Sequence, residues 1–146
     1  MESASLTAST DVPHVASELR LVLGRLVRRL RAERRFSLAH ASVLGRLDRE
    51  GAASVSDLAS HEGVKPQSMA QTVADLQDEG LVSRRPDPGD GRRILVELTK
   101  AGRSALQADR AHREGWLATV ISERLSREEQ RALERAVELL RRIAES

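Results

Sequence analysis

The sequence predicts a mainly α-helical fold with one small β-sheet of two to three strands. Apolar residues recur at helical spacing through most of the 146-residue chain. Serine, threonine or aspartate repeatedly stands just before such a stretch, where a side-chain oxygen can cap a helix. By contrast, residues 81–98 read as two short strands joined by a turn that is rich in proline, glycine and aspartate. These three observations together predict the fold class.

The N-terminal part of the chain predicts a tail and one long helix. Residues 1–10 are mostly Ser, Ala and Thr without an apolar period, so we expect them to be disordered. Asp11 and Pro13 mark the start of a first helix that extends to about Arg35. Its apolar stripe comprises Val15, Leu19, Val22, Leu23, Leu26 and Leu30. Its many arginines are explained by a solvated face with salt bridges, or alternatively by a positive flank that attracts nucleic acid.

Three further helices are predicted between residues 37 and 79. Ser37 caps a second helix that ends near Gly51. Ser54 opens a short third helix as a capping box with Asp57, and Gly63 ends it in the left-handed conformation. The fourth helix begins at Pro66 and ends near Glu79. The side chains that we expect these helices to bury are Leu38, Ala41, Val43, Leu44 and Leu47 of the second, and Met69, Val73 and Leu76 of the fourth.

The fourth helix carries uncharged polar side chains in its N-terminal half. These are Gln67, Ser68, Gln71 and Thr72. Amide and hydroxyl groups of this kind suit base edges and phosphate oxygens in a DNA major groove, and a merely solvated helix face is the alternative. Asp75 and Asp78 would repel a nearby phosphate, so we place them beyond the groove.

The predicted strands, residues 81–85 and 94–98, form a hairpin that carries arginines at its base and far side. Such a hairpin can lay basic side chains along a nucleic-acid backbone or in a minor groove. We predict that Arg84, Arg85 and Arg93 contact phosphate rather than bases.

The C-terminal part predicts two more helices. Thr99 caps a long fifth helix to about Ile121, whose polar middle, residues 109–115, we expect to face water. Ser126 and Glu129 form a capping box that opens a sixth helix, with an apolar stripe at Leu133, Val137, Leu140 and Ala144. Pairing of the first and last two helices with those of a second subunit would bury their stripes. A monomeric helical bundle is the alternative.

The interval from Gly51 to Gly102 resembles the winged helix-turn-helix of the MarR (multiple antibiotic resistance regulator) family. The signature is Asp90-x-Arg92 followed, after five residues, by Leu98-Thr99, while Asp57-Leu58-Ala59 and Glu79-Gly80-Leu81-Val82 fit the same pattern. The resemblance implies a winged helix-turn-helix over residues 36–98, with N- and C-terminal dimerisation helices over 11–35 and 99–146, in a single intertwined domain.

The resemblance also completes the set of predicted DNA contacts. It implies that Asp90 orients Arg92 towards the DNA backbone or minor groove, and that Lys65 stands where a Ser or Thr usually caps the fourth helix. A lysine cannot accept an amide hydrogen bond there, but it can contact a phosphate. The predicted DNA-binding residues are Ser54, Lys65, Pro66, Gln67, Ser68, Gln71, Thr72, Arg84, Arg85, Asp90, Arg92 and Arg93.

The function that the resemblance implies is a homodimeric transcription regulator on double-stranded DNA with a near-palindromic operator. We expect a repressor that a small aromatic, phenolic ligand releases. Candidate ligand-binding residues are His14, Phe36, His40 and Trp116, with Arg20 or Arg34, and packing is the alternative for each. Two other functions stay open: a ligand-independent activator or constitutive DNA binder, and a helical protein-interaction module that has lost DNA binding.

Composition excludes several other classes of protein. Without cysteine, the chain has no disulfide, cysteine-ligated zinc or thiol sensor. Its four histidines lack metal-site spacing, and no catalytic constellation is evident, so we expect neither an enzyme nor a cofactor. No apolar run approaches the roughly 18 residues of a membrane span, and a secretion signal is absent, which predicts a cytoplasmic protein. The net charge of +2 does not by itself indicate a nucleic-acid partner.

Overall fold

The computed structural model describes residues 9–146, so most of the predicted tail of residues 1–10 lies outside the described residues. The elements in chain order are α1 (Val12–Ala32), α2 (Leu38–Glu50), β1 (Ala53–Ser54), α3 (Val55–Glu62), α4 (Pro66–Asp78), β2 (Val82–Pro86), β3 (Ile94–Leu98), α5 (Lys100–Arg124) and α6 (Arg127–Ala144). The strands form an antiparallel sheet in the order β1-β3-β2. This architecture confirms the predicted fold class.

The chain divides into two compact units, one containing α1 and the other spanning Arg34–Ser146. In α1, Asp11 Oδ1 accepts a hydrogen bond from the His14 amide at 3.2 Å, which confirms the predicted start. The helix ends at Ala32, slightly before the predicted end near Arg35. None of its residues is buried, so the apolar stripe of α1 is largely exposed.

The core of the second unit forms where α2, α3 and α4 pack with β3. Its most deeply buried side chains are Val43, Leu44, Leu58, Val73, Leu76 and Val96. The predicted core faces of α2 and α4 are confirmed, with one exception. Leu38 is 58% exposed, because the first turn of α2 extends past the core and this side chain lines an open groove together with Val64.

The predicted N-caps agree with the structure. The hydroxyls of Ser37, Ser54, Thr99 and Ser126 each accept a hydrogen bond from the amide three residues later. Glu129 completes the capping box of α6 by accepting from the Ser126 amide at 2.9 Å. The box predicted for α3 is wrong in its second half, because the Asp57 carboxylate pairs with Arg93 instead of the Ser54 amide. Gly63 ends α3 with a φ of +64°, as predicted.

The start of α5 packs tightly against residues 80–81, which immediately precede β2. The Thr99 amide donates to the Leu81 carbonyl at 3.1 Å, and the Thr99 hydroxyl donates to the Gly80 carbonyl at 2.6 Å. Gly102 lies so close that a Cβ atom added to it would stand 2.0 Å from the Leu81 carbonyl oxygen. This junction joins α5 to the hairpin and depends on the absence of a side chain at Gly102.

The expectation that the middle of α5 faces water is wrong at Asp109. This residue is only 3% exposed. Its Oδ1 accepts from the Arg35 amide at 2.8 Å, and its Oδ2 lies 3.2 Å from Arg113 Nη2. A buried carboxylate is stable when it has such partners, and here it ties the residues that precede α2 to α5.

Candidate nucleic-acid interface

The amphipathic α4 exposes the polar side chains that sequence analysis singled out. One face buries Met69, Val73 and Leu76 in the core. Gln67, Ser68 and Gln71 are exposed and Thr72 is half-buried. Because α3 and α4 meet at the tight turn that Gly63 begins, they form a helix-turn-helix with this polar surface on its second helix.

Hydrogen bonds orient two of these side chains. Gln71 Nε2 donates to Asp75 Oδ1 at 2.8 Å, and the Thr72 hydroxyl donates to the Ser68 carbonyl at 3.1 Å. A carboxylate only accepts hydrogen bonds, so the NH₂ group of Gln71 must face Asp75. The Gln71 oxygen and the second N–H of its amide are therefore left for a ligand. On its other side, Asp75 Oδ2 lies 3.6 Å from His40 Nε2 of α2.

The N-terminus of α4 has no side-chain cap. Lys65 occupies the N-cap position in an extended conformation and, as predicted, supplies no acceptor for the first-turn amides. Pro66 follows at the first helical position, where its missing amide has no effect on the helix. Both residues are exposed, so a positive side chain and the positive end of a helix dipole share this part of the surface.

The hairpin of residues 82–98, called the wing below, is closed by backbone hydrogen bonds. The Asp87 amide donates to the Arg93 carbonyl at 2.8 Å, and the Arg93 amide donates to the Asp90 carbonyl at 2.9 Å. Asp90 Oδ1 accepts from the backbone amide of Arg92 at 3.1 Å. Asp90 thus shapes the turn through the main chain of Arg92, and the Arg92 guanidinium forms no ion pair within residues 9–146.

The four predicted arginines of the wing fall into two pairs. Arg84 and Arg92 are exposed, and neither guanidinium has a hydrogen-bond or ion-pair partner among the described residues. Arg85 Nε lies 2.9 Å from Glu97 Oε2, across the hairpin. Arg93 pairs with Asp57 of α3 and donates to Ser54 Oγ at 3.3 Å. Of these four arginines, therefore, only Arg84 and Arg92 have guanidinium groups without a carboxylate partner among the described residues.

Ser54 lies behind this surface. Predicted as a DNA contact, it is only 8% exposed, and its oxygen accepts both from the Asp57 amide at 3.1 Å and from Arg93. The Ser54 oxygen is thus engaged within the chain as a cap of α3 and as a partner of Arg93. Its contact with DNA stays a prediction.

The predicted ligand-binding residues differ in burial and surroundings. Phe36 is buried in the core, with the Arg35 guanidinium carbon 5.2 Å from its ring centroid. His40 is half-buried beside Asp75, Trp116 is half-buried on α5, and His14 is exposed in the other unit. None of the four lines either of the two cavities that follow.

The first cavity, called the arginine pocket below, has a volume of about 290 Å³ and lies between α2 and α5. The charged residues that line it are Arg34, Arg49, Arg110, Arg113 and Asp109. Arg34 Nε is buried without a hydrogen-bond partner among the described residues. Of these residues only Arg34 was among the predicted ligand-binding candidates. The spacing of Arg110 and Arg113, three residues apart on α5, is the sequence signal for those two arginines.

The second cavity is a largely apolar groove of about 550 Å³ beside α4, whose lining includes Leu38, Val64 and Met69. Its acidic residue is Glu62, which accepts from the Ser42 hydroxyl at 2.6 Å and from Arg46 Nε at 3.1 Å. The hydrogen bond from Ser42, more than the one from Arg46, holds the pKa of Glu62 below its ordinary value, although burial opposes this shift. The carboxylate is therefore charged at neutral pH.

Residues 9–146 contain neither a metal-ligand cluster nor a membrane-spanning helix. No group of three or more His, Asp or Glu side chains is arranged to hold a metal ion. No helix in this range combines the length and the apolarity needed to cross a bilayer.

Comparison with known proteins gives a consistent result. Residues 36–93 match the sequence model of the MarR family. A relative from Mycobacterium bovis, an HTH-type transcriptional regulator, is 39% identical over 129 residues, which are 86% of this chain and 90% of the relative. The crystal structure of a transcriptional regulator from Pseudomonas aeruginosa is similar with a TM-score of 0.75 and 32% identity, over 91% of this chain and 94% of that one. A mutant of S. aureus MepR, bound to an oligodeoxyribonucleotide, shares the fold with a TM-score of 0.69 at 18% identity, over 86% of this chain and 94% of that one.

Proposed function

The chain belongs to the MarR family of transcriptional regulators, and from this we propose that it is a homodimeric repressor which binds a near-palindromic operator until a small ligand releases it. The observation that carries the proposal is the joint exposure of two complementary surfaces. The polar face of α4 suits base edges, and the unpartnered arginines of the adjoining wing suit phosphates.

In this proposal Gln71 reads bases and the wing contacts the backbone. Asp75 leaves Gln71 with one free acceptor and one free donor, the pair of groups that an amide uses on adenine. Arg92 and Arg84 have unoccupied guanidinium groups that can neutralise phosphates. Lys65 and the uncapped amides of α4 add a positive contact at the groove edge.

A homodimer is supported by the apolar stripes of the terminal helices. In α6, Val137 of the stripe is 46% exposed and the neighbouring apolar side chains Leu139 and Ile143 are 56% and 61% exposed. In α1, Val15 and Val22 are 49% and 54% exposed. Side chains of this kind are usually covered in a stable assembly. A two-fold symmetric dimer would place its two copies of α4 at half-sites about 34 Å apart, one turn of DNA.

We place the effector in the arginine pocket and infer that it is a small aromatic acid. Four arginines face one aspartate there, and the buried Arg34 Nε lacks a partner among the described residues. A carboxylate can satisfy such a donor. The pocket volume of about 290 Å³ is just below the range of about 300–1,000 Å³ for drug-sized ligands, so only a small molecule would fit. Release of DNA then requires only that the acid bind more tightly to the arrangement that does not fit the operator.

The test is a titration of the purified protein against its own upstream intergenic DNA at two salt concentrations, with unrelated DNA as the control. We expect tight, site-selective binding with two subunits per site. Arg92→Ala should weaken binding to all sequences and flatten the salt dependence by about one unit of slope. Gln71→Ala should instead relax specificity at one or two base pairs, by about 1–3 kcal/mol each.

Arg131→Ala is the matched control for charge, because this exposed arginine lies on α6, away from its apolar stripe. Equal, weak binding to both DNAs would contradict the operator proposal. Unchanged affinity in both interface variants would favour a protein-interaction module. If a panel of aromatic carboxylic acids leaves operator binding unchanged, the chain is a ligand-independent binder.

A further inference from the structure

We propose that Arg93 is a positioning residue that holds the wing against α3 through Asp57 and Ser54, and that it does not contact phosphate. This inference depends on the proposed DNA binding, because the position of the wing matters only if the wing meets DNA. It changes the roles of two residues that sequence analysis placed among the DNA contacts.

The side chain of Arg93 connects two separate parts of the fold. Its Nη2 pairs with the carboxylate of Asp57, in the first turn of α3, and donates to the oxygen of Ser54, the N-cap of the same helix, at 3.3 Å. These partners precede it in sequence by 36 and 39 residues. The contact is therefore a tertiary link between the wing and the helix-turn-helix.

The backbone of Arg93 is held as firmly as its side chain. Its amide donates to the Asp90 carbonyl at 2.9 Å, and its carbonyl accepts from the Asp87 amide at 2.8 Å. Arg93 is thus the last residue of the wing turn, and it immediately precedes β3. The main chain of Arg93 therefore closes the wing turn while its guanidinium binds α3, so a displacement of the turn would disturb the contact with Asp57.

The rest of the sheet gives the wing little support at this end. Strand β1 pairs with β3 at only two positions, Ala53 with Val96 and Ser54 with Leu95. Beyond them, Ile94 is 44% exposed. The contacts of Arg93 with Asp57 and Ser54 follow directly after these two pairs. They extend the short β1–β3 contact towards the tip of the wing.

The charge of Arg93 is already neutralised within the chain. A phosphate would have to displace the Asp57 carboxylate, and it would then meet that freed negative charge at short range. The neighbouring Arg92 has no such competitor among the described residues. The two adjacent arginines therefore have different tasks: Arg92 is free to meet DNA, and Arg93 fixes the wing that carries it.

A single substitution at Asp57 distinguishes the two roles by the direction of its effect. If Arg93 contacts phosphate, Asp57→Asn removes a competitor and a negative charge, so operator affinity should rise. If Arg93 positions the wing, the same change loosens it, and ordering the wing on DNA then opposes binding. We expect operator affinity to fall about 10-fold, with the salt slope unchanged.

Rescue by a charge swap is the second measurement, made on the full chain. Arg93→Asp and Asp57→Arg should each weaken operator binding by about 10-fold or more, whereas the double variant should return to within about 3-fold of wild type. Unfolding curves of every variant show whether the fold is retained. If the double variant binds as weakly as Arg93→Asp and has lost about one unit of salt slope, Arg93 contacts phosphate and the inference is overturned.

The wild-type titration separates this inference from the proposed function. If the wild-type protein does not bind its operator selectively, both proposals fail. If it does, and Asp57→Asn binds as tightly as wild type or more tightly, the operator proposal stands and the positioning inference alone fails.

Discussion

The tight junction between α5 and β2 allows a test in which two similar substitutions have opposite effects. Gly102→Ala adds a methyl group 2.0 Å from the carbonyl oxygen of Leu81 and 2.9 Å from its carbonyl carbon. Gly115→Ala adds the same group to the same helix, where nothing lies within 4 Å. Helix propensity favours alanine at both positions, by about 1 kcal/mol.

The expected loss in the free energy of unfolding of Gly102→Ala follows from the contacts that the added methyl group disturbs. The backbones of α5 and β2 have to separate by about 1 Å to relieve the overlap, and such overpacking costs about 1–3 kcal/mol. The separation also lengthens the 3.1 Å hydrogen bond from Thr99 to Leu81 and the 2.6 Å bond from Thr99 to Gly80, worth about 1 kcal/mol each. After the gain in helix propensity, we expect a net loss of about 3 kcal/mol.

The assay is unfolding in urea and by heat, followed by circular dichroism at equal protein concentrations, because subunit association would make stability depend on concentration. A loss of about 3 kcal/mol should lower the Tm of Gly102→Ala by roughly 10 °C. Gly115→Ala should be as stable as the wild type or up to about 1 kcal/mol more stable. If both variants shift in the same direction by similar amounts, the close approach of α5 to β2 is not as described.

Three further predictions use the same unfolding assay. Leu44→Ala should cost about 3 kcal/mol because Leu44 is fully buried, whereas Leu38→Ala, at a half-exposed site on the same helix, should cost less than about 1 kcal/mol. Asp109→Ala should cost about 2–3 kcal/mol because a buried amide and an arginine lose their partner, and a loss no larger than that of Leu38→Ala would refute its structural role. The lowered pKa of Glu62 means that its stabilisation is complete above its ordinary value of 4.5 and is lost as the pH falls through the lower folded value. Ser42→Ala should therefore make the loss of stability on acidification shallower, and curves parallel to the wild type would contradict this.

The features that could be predicted from the sequence are those that depend on neighbouring residues. A cap such as Ser37, Thr99 or Ser126 needs only an amide three residues later, so its signal is local. The buried face of α4 follows from the spacing of its apolar residues, and β3 from its apolar run between turn residues. These local signals were sufficient for the fold class and the polar face of α4.

The features that could not be predicted depend on partners far away in sequence. Asp109 lies in a polar stretch, and besides its local partner Arg113 its carboxylate accepts from the Arg35 amide, 74 residues earlier, which no local pattern reveals. In the same way, no local sequence pattern distinguishes Arg92 from Arg93, although only Arg93 forms an ion pair with Asp57. The sequence therefore predicts a basic wing, whereas the fold determines which of its arginines have a carboxylate partner within the chain.

The position of Trp116 has a practical consequence for spectroscopy. The chain has one tryptophan and no tyrosine, so its intrinsic fluorescence comes almost entirely from one half-buried side chain on α5. That side chain is one helical turn from Arg113, which lines the arginine pocket. The protein thus carries an optical reporter beside the place where we put the effector, and binding of an acid there can be followed through emission, without a dye, a label or DNA.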